Sequence, residues 1–319
     1  MLTEPSIDKE HLRTELCHLY SVNVVDLTFV PKGEESWSYI IDCENGARYF
    51  AKIHAASPPS KEVLDFVWQL HRSCLISEVV CPVRTRHGEP LFLFDGYTTV
   101  LFEYISGRTL ADRHPRDDQL FQLGELLARI HRCRIRGKCP SVERFAIPFQ
   151  DEYDRVMGVA KSPGQNLQGH QGQVAELVQL AERKIDDLFD ALRTEQQMLR
   201  ERDLELVVCH GEPSPGNVLI SCDGQTHLID WNTVILAPKE RDLIFFLEPK
   251  YRAVLDGYQG VMGYETINDD IVRFYKLHWT LGEIVHFSSR VLFSNAGNRQ
   301  SEKDTDELLE VLGWIGVPQ

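Results

Sequence analysis

The sequence lacks the long apolar runs that membrane helices need, since its 319 residues hold no stretch of 18 or more apolar residues. It also shows no secretory signal peptide, and its eight cysteines follow neither zinc-ligand spacing nor a dense disulfide framework. Thiols in this pattern are typical of reducing compartments. We therefore expect a cytoplasmic protein that contacts no membrane.

Basic residues are also scarce, because 34 Lys and Arg face 48 Asp and Glu and give a net charge of −14. Nucleic-acid binding needs a basic footprint, so this balance argues against a nucleic-acid partner. A cationic small molecule suits it better, although acidic charge alone equally serves solubility. The chain is 43% hydrophobic, which is enough for one large domain or two lobes.

Two apolar runs joined by turns carry the densest group of reactive side chains. Residues 210–217 read His-Gly-Glu-Pro-Ser-Pro-Gly-Asn, and Asp230 ends the next apolar run. Proline fixes φ and lacks an N–H donor, so residues 213–216 are predicted to form a loop. The Asp-Gly pair at 223–224 predicts a hairpin turn that would bring Asn217 and Asp230 close together.

These groups suit phosphoryl transfer, which needs cations on the phosphates and a carboxylate that orients the acceptor hydroxyl. Asn217 and Asp230 offer the hard oxygen ligands that Mg²⁺ takes. Glu212 supplies a further carboxylate. A surface hairpin with ordinary turn residues is the alternative, and the joint occurrence of His, Glu, Asn and Asp at this spacing favours the site.

The first hundred residues are strand-rich by pattern. Alternating residues predict strands over 26–30, 37–41 and 47–53, with a hairpin turn between the last two. Lys52 lies in the third strand between apolar neighbours. A strand lysine is usually a solvated residue, but its place upstream of the hairpin favours phosphate binding.

Helical spacing of apolar residues dominates the later part of the chain. It predicts helices starting near residue 117 and over 173–200 and 267–293, with a loop over 157–172. His131, near the end of the first of these helices, is expected to be a structural core histidine.

The chain resembles the aminoglycoside phosphotransferase and choline kinase superfamily, whose pattern is His-Gly-Asp-x-x-x-x-Asn followed by Ile-Asp. The run 236–243, Leu-Ala-Pro-Lys-Glu-Arg-Asp-Leu, is most similar to the spectinomycin phosphotransferase branch. The resemblance implies an α+β, protein-kinase-like bilobal fold. It places a small β-rich N-terminal lobe over residues 1–104 and a larger, mainly helical C-terminal lobe over 105–319.

The resemblance also implies an activity. We expect ATP- and Mg²⁺-dependent transfer of the γ-phosphate to a hydroxyl of a small, cationic acceptor. An aminoglycoside or aminocyclitol antibiotic, or a related amino alcohol or sugar metabolite, would fit. The protein is expected to be a monomer or a homodimer.

Roles in the C-terminal lobe follow residue by residue from the resemblance. Asn217 and Asp230 are expected to hold Mg²⁺, and Glu212 to orient the acceptor hydroxyl. His210 and Asp242 would keep the catalytic loop in shape. Glu283, on a C-terminal helix, would bind the acceptor, with a solvated surface acid as the equal alternative.

Roles in the N-terminal lobe concern the nucleotide. Lys52 is expected to hold the α- and β-phosphates, with Glu62 as its helix partner and Asp65 as the fallback. Ser36, in the loop over 33–38, would contact a phosphate. The expected adenine contacts lie in the hinge, at Glu103, Tyr104 and Ile105.

Glu212 stands where the superfamily pattern has Asp, and this departure leaves open a pseudokinase or nucleotide-binding regulatory module that transfers nothing. Among kinases, a Ser or Thr of a biosynthetic peptide is a further possible acceptor. Ile284 stands where the spectinomycin branch has a second acid after the residue matching Glu283, so the resemblance does not by itself imply spectinomycin as the acceptor.

Overall fold

The computed structural model describes residues 4–31, 36–54, 58–112, 114–135, 138–162, 167–264, 266–294 and 297–317. The chain divides into two compact units. The first is formed by Met1–Val142 and Glu205–Thr266, and the second by Glu143–Leu204 and Ile267–Gln319. The lobe boundary predicted after residue 104 lies inside the first unit and stays a prediction.

A five-stranded antiparallel sheet forms the N-terminal part of the first unit, with strand order β1-β2-β3-β5-β4. The strands are β1 (Val24–Val30), β2 (Ser36–Cys43), β3 (Arg48–His54), β4 (Phe92–Phe94) and β5 (Tyr97–Glu103). Lys52 lies in the central strand β3, opposite Ser38 of β2 and Val100 of β5. Side chains alternate between the two faces of a strand, so Lys52 and His54 share one face.

Two helices accompany this sheet. Helix α1 (Lys9–Tyr20) begins at Asp8, whose side chain accepts hydrogen bonds from the N–H groups of Glu10 and His11. Helix α2 (Lys61–Ser73) begins at Ser60, whose hydroxyl accepts from the Val63 N–H. Helix α2 buries Leu64, Phe66, Val67 and Leu70, which places an apolar stripe on one side of the helix.

In its described residues, the rest of the first unit carries two small sheets and three α-helices. The strands are β6 (Gly107–Thr109), β7 (Val207–Cys209), β8 (Val218–Ser221), β9 (Thr226–Leu228) and β10 (Ile235–Ala237). They form the sheets β6-β8-β9 and β7-β10. The helices are α3 (Asp117–His131), α6 (Glu240–Leu243) and α7 (Arg252–Met262). Apolar residues of α3 pack in one core with Val218, Leu228 and Trp231, which fixes the hairpin β8–β9 against the helix.

The second unit is helical in its described residues. It contains α4 (Gln150–Ala160), α5 (His170–Arg200), α8 (Asp269–Phe293) and α9 (Asn298–Trp314). Buried residues such as Val174, Val178 and Ile185 recur along α5 at helical spacing. No helix in the described ranges is both long and apolar enough to cross a membrane.

The α+β class, with strands first and helices later, is confirmed. The predicted loop over 157–172 is wrong at both ends, because α4 continues to Ala160 and α5 begins at His170. The burial of Val156, Met157 and Ala160 offsets the weak helix propensity of Gly158. Cys74 and Cys133 form a disulfide with a Cα–Cα distance of 6.1 Å, which the spacing of the cysteines in the sequence did not indicate.

Candidate active site

The loop after β7 is held by one buried carboxylate, that of Asp242. Its Oδ2 accepts the His210 N–H at 2.8 Å, and its Oδ1 accepts the Gly211 N–H at 2.8 Å. His131 Nε2 lies 3.1 Å from the same Oδ2. Burial raises the pKa of Asp242, but His131 and His210 outweigh this and hold the pKa below its usual value. The carboxylate is therefore ionised and fixes two consecutive peptide groups of the loop.

His210 is a structural part of the loop rather than a group open to solvent. Its Nδ1 accepts the Glu212 N–H at 3.3 Å, so the ring proton lies on Nε2, which donates to the Ile229 carbonyl at 2.9 Å. Burial lowers the pKa of His210, although Asp242 opposes that shift. The neutral ring thus links the loop to the end of the hairpin.

Backbone conformation makes two positions of the site specific for their residues. Gly211 has φ of +92°, and a Cβ built there would lie 2.2 Å from the Thr233 carbonyl oxygen. Asp230 is left-handed with φ of 63° and ψ of 63°. Asp tolerates this region better than most residues, and such strain recurs at functional sites.

The hairpin places Asn217 beside Ile229, the residue that precedes Asp230. The Ile229 N–H donates to the Asn217 carbonyl at 3.0 Å, next to the β8–β9 pairing of Val218 with Leu228. The Asn217 side-chain Nδ2 donates to the Glu212 carbonyl at 2.9 Å. Because that bond uses the amide nitrogen, Oδ1 is the Asn217 atom suited to ligate a cation. The hairpin predicted from Asp-Gly therefore forms, with Gly224 at φ of +90°.

Lys52 reaches this hairpin from strand β3. Its Nζ lies 2.8 Å from Asp230 Oδ2, and the two side chains are 20% and 35% exposed. Burial raises the pKa of Asp230, but Lys52 more than compensates, so its pKa lies below the usual value. The structure thus joins the predicted phosphate-binding cation and a predicted metal ligand in one ion pair.

The helix acids predicted as partners of Lys52 lie elsewhere. Glu62 is exposed in the first turn of α2, and Asp65 Oδ1 accepts from Arg84 Nη2 at 2.7 Å. Within the described residues, the ion partner of Lys52 is Asp230. The α2 side chains that line a small cavity beside Lys52 are Val63, Leu64 and Val67. The helix therefore turns apolar side chains, rather than an acid, toward this cavity.

The residues predicted to contact the nucleotide lie in the hinge, which the structure describes, and in the covering loop, which it describes only in part. The Tyr104 N–H donates to the Arg48 carbonyl at 3.1 Å, which leaves it committed to the sheet. Ile105 follows, and then Ser106, whose carbonyl accepts the Cys222 N–H at 2.8 Å. Ser36 is the half-buried first residue of β2, while residues 33–35 lie outside the described part. Glu103 is the exposed last residue of β5.

The two predicted acceptor-binding acids lie in different units. Glu212 is half-buried in the first unit, directly after Gly211. Glu283 is half-buried in α8 of the second unit, between Gly282 and the buried Ile284. The acceptor-binding role of Glu283 stays a prediction.

His131, Cys209 and Asp242 bring three buried potential ligand atoms within 4.8 Å of one another. A metal there would need a thiolate, but burial raises the pKa of Cys209 well above its usual value. The thiol donates instead to the carbonyls of Ala237 and Pro238 at 3.6 Å. The cluster is thus a hydrogen-bonded network that supports the loop.

The sequence did not predict the contacts of two histidines in this region. His131 is a core histidine as expected, yet it is also the third donor to Asp242, and its Nδ1 lies 2.9 Å from the Tyr258 hydroxyl. His54 lines the cavity beside Lys52, on the same face of β3. The spacing of His54 two residues after Lys52 was the one signal in the sequence that could have found it.

The sequence is similar to a known family and to a relative from Streptomyces griseus. The sequence model of the family described as the phosphotransferase enzyme family matches residues 26–264, about three quarters of the chain. The protein StrN of Streptomyces griseus is 25% identical over 305 residues, which cover 90% of this chain and 86% of that protein.

Solved structures show the fold. A spectinomycin phosphotransferase in complex with ADP and spectinomycin has a TM-score of 0.82 at 20% identity, over 96% of this chain and 95% of that one. A microcompartment-associated aminopropanol kinase has a TM-score of 0.64 at 14% identity, over 98% and 99% of the two chains. The predicted kinase-like fold and the resemblance to these phosphotransferases are confirmed.

Proposed function

Since the chain belongs to the phosphotransferase enzyme family, we propose that it is an ATP- and Mg²⁺-dependent kinase that phosphorylates a hydroxyl of a small, cationic acceptor. One observation carries the proposal: Lys52 Nζ lies 2.8 Å from Asp230 Oδ2, although the residues are 178 positions apart. A strand lysine next to a hairpin carboxylate is the pairing that phosphates and their metal ion require.

Asn217 and Asp230 would hold the metal ion, which when bound neutralises charge on the phosphates. Their donor set fits Mg²⁺, because it consists of an amide oxygen and an ionised carboxylate. Lys52 would bind the α- and β-phosphates, and the hinge at Glu103, Tyr104 and Ile105 would bind adenine. Because the Tyr104 N–H is already committed, the Ile105 N–H is the better donor to the base.

Glu212 would orient the acceptor hydroxyl toward the γ-phosphate and accept its proton. The transition state is loose, so positioning contributes more than strong deprotonation. Glutamate is one methylene longer than aspartate, and a misplacement of about 1 Å can cost on the order of 100-fold in rate. Asp242 accepts hydrogen bonds from the N–H groups of residues 210 and 211, and Asn217 donates one to the Glu212 carbonyl. These bonds fix the backbone on both sides of the Glu212 side chain. We infer that this loop is shaped to place the longer carboxylate.

The acceptor is best sought among amino compounds. The net charge of −14 favours a cation. The similar structures include enzymes for spectinomycin and for aminopropanol, both of which carry amino and hydroxyl groups. Glu283 is the proposed acid that would contact the acceptor ammonium group.

The proposal is tested by nucleotide binding and turnover in the same samples. Thermal-shift titrations with ATP and Mg²⁺ should stabilise the wild type, and ADP should form when a panel of aminoglycosides, spectinomycin, aminopropanol, choline and amino sugars is added. Asp230→Asn should lose turnover. Asp223→Asn, which changes an exposed acid in the turn of the same hairpin, is the matched control and should keep it.

A regulatory nucleotide-binding module is the second candidate, because Glu212 replaces the family's Asp. It predicts ATP binding without ADP formation across the whole panel. Glu212→Asp adds a direct test of the loop: lower turnover supports a loop shaped for glutamate, whereas higher turnover contradicts it. A peptide with serine or threonine acceptors belongs in the same panel.

A further inference from the structure

His54 is a buried polar residue with one ring nitrogen that is unpaired among the described residues. It is 5% exposed, and its Nδ1 has no hydrogen bond within the described part of the chain. It lies two residues after Lys52 in β3, so the two side chains point to the same face, about 7 Å apart along the strand. Both line the small cavity that Asp230 also lines. The imidazole therefore faces the ion pair of the proposed nucleotide site.

The other side of this cavity is apolar. Helix α2 contributes Val63, Leu64 and Val67, and no acid of α2 approaches Lys52 in the described residues. In protein kinases a helix glutamate holds the phosphate-binding lysine in place. Here the carboxylate next to Lys52 is that of Asp230, which comes from the hairpin and not from a helix.

Asp230 has two tasks if the proposed function holds. It pairs with Lys52 through Oδ2, and it would also ligate the metal ion. A carboxylate that ligates a divalent cation accepts less strongly from a lysine. The Lys52 ammonium group has three donors, and the α- and β-phosphates would take two of them, so a further acceptor is needed to fix the third in the loaded state.

We propose that His54 is a positioning residue that accepts a hydrogen bond from Lys52 Nζ when Asp230 turns to the metal ion. This inference rests on the proposed function, because it assigns a partner to Lys52 in the ATP- and metal-bound enzyme. His54 then holds the lysine ammonium group in place, as the helix glutamate does in protein kinases.

The environment of His54 suits an acceptor. Burial lowers its pKa to about 4, with a further contribution from Lys52, so the ring is neutral at pH 7 and has a free lone pair. Burial of an unpaired nitrogen costs stability, so leucine at this position should fold at least as well as histidine.

The test measures affinity for ATP, with Mg²⁺ and separately in EDTA, in the full-length protein. His54→Leu should weaken binding about tenfold with Mg²⁺, the effect of one lost hydrogen bond to a charged group, and by less than about twofold in EDTA. His54→Asn, whose amide oxygen can replace Nδ1, should restore most of the affinity. His54→Phe is a second apolar variant that keeps a ring of similar shape.

His227→Leu is the matched control, because His227 in β9 also has a buried Nδ1 without a partner. It should bind ATP like the wild type in both conditions. Equal loss in Mg²⁺ and in EDTA for His54→Leu, or no rescue by asparagine, would show a packing role and overturn the inference.

Two failures remain distinguishable. If the wild type does not bind ATP, the proposed function fails and this inference fails with it. If the wild type binds and turns over ATP while His54→Leu binds equally well with Mg²⁺, the inference alone is refuted.

Discussion

Replacement of Asp242 by asparagine is the sharpest test of how the loop is built. The carboxylate accepts from His210 N–H, Gly211 N–H and His131, and it is fully buried. Asparagine has the same shape but keeps one acceptor oxygen. If that oxygen takes the Oδ2 position, its NH₂ group faces the Gly211 N–H, and two donors then meet.

The expected cost follows from these contacts. At least one hydrogen bond to a charged group is lost, the remaining ones become neutral, and a buried donor is left unpaired. Together these effects should lower the free energy of unfolding by about 3–5 kcal/mol. Because residues 210 and 211 precede Glu212, turnover should fall as well, even where the variant is still folded.

Urea denaturation followed by tryptophan fluorescence measures the first effect, and steady-state kinetics the second. Asp223→Asn, at an exposed turn, should change stability by less than about 0.5 kcal/mol. A loss below about 1 kcal/mol for Asp242→Asn would refute the anchoring argument.

The pH dependence of the same contact has a defined sign. The pKa of Asp242 is lowered in the folded protein, so its contribution is complete above the ordinary Asp value of about 3.9. That contribution is lost as the pH falls below this value and through the folded pKa. Asp242→Asn should therefore show a smaller loss of stability than the wild type over this acidic range.

Three further predictions concern other contacts. Gly211→Ala should lower the free energy of unfolding by more than about 2 kcal/mol in denaturation assays and abolish turnover in kinetic assays, because its Cβ would meet a carbonyl oxygen. Gly216→Ala should keep both stability and turnover, because the nearest atom to its Cβ is 3.8 Å away. The pKa of His54 is lowered to about 4, so wild-type stability should fall between pH 6.5 and 4 by about 3 kcal/mol more than that of His54→Leu in urea titrations. Thiol titration of the denatured protein should find six free thiols before reduction and eight after it, and eight before reduction would contradict the Cys74–Cys133 disulfide.

Local sequence patterns predicted the strands and helices whose apolar residues recur at regular spacing, and the hairpins whose turns have typical turn residues. The strands around Lys52 and the hairpin around Asp-Gly 223–224 came from alternation and turn chemistry, and both lie where expected. Helix α1 was missed, although Asp8 at its start is a capping residue that the sequence shows. Helix α9 has few apolar positions at regular spacing, so its pattern is weak.

Tertiary partners of single side chains could not be read from the sequence. Glu62 and Asp65 both follow Lys52 at a plausible distance along the chain, but the rotation of α2 directs valine and leucine to the cavity instead. The role of His131 depends on α3 packing beside residue 242, which no local pattern encodes. Such contacts are set by packing between distant elements rather than by spacing.

Mass spectrometry of the acceptors tests whether this site transfers a phosphoryl group. Each compound of the panel is incubated with the wild type, ATP and Mg²⁺, with Asp230→Asn in parallel. We expect one acceptor to gain about 80 Da, the mass of an added phosphoryl group, in the wild-type sample alone. Saturable ATP binding with no mass shift on any small molecule or peptide would contradict phosphoryl transfer at this site.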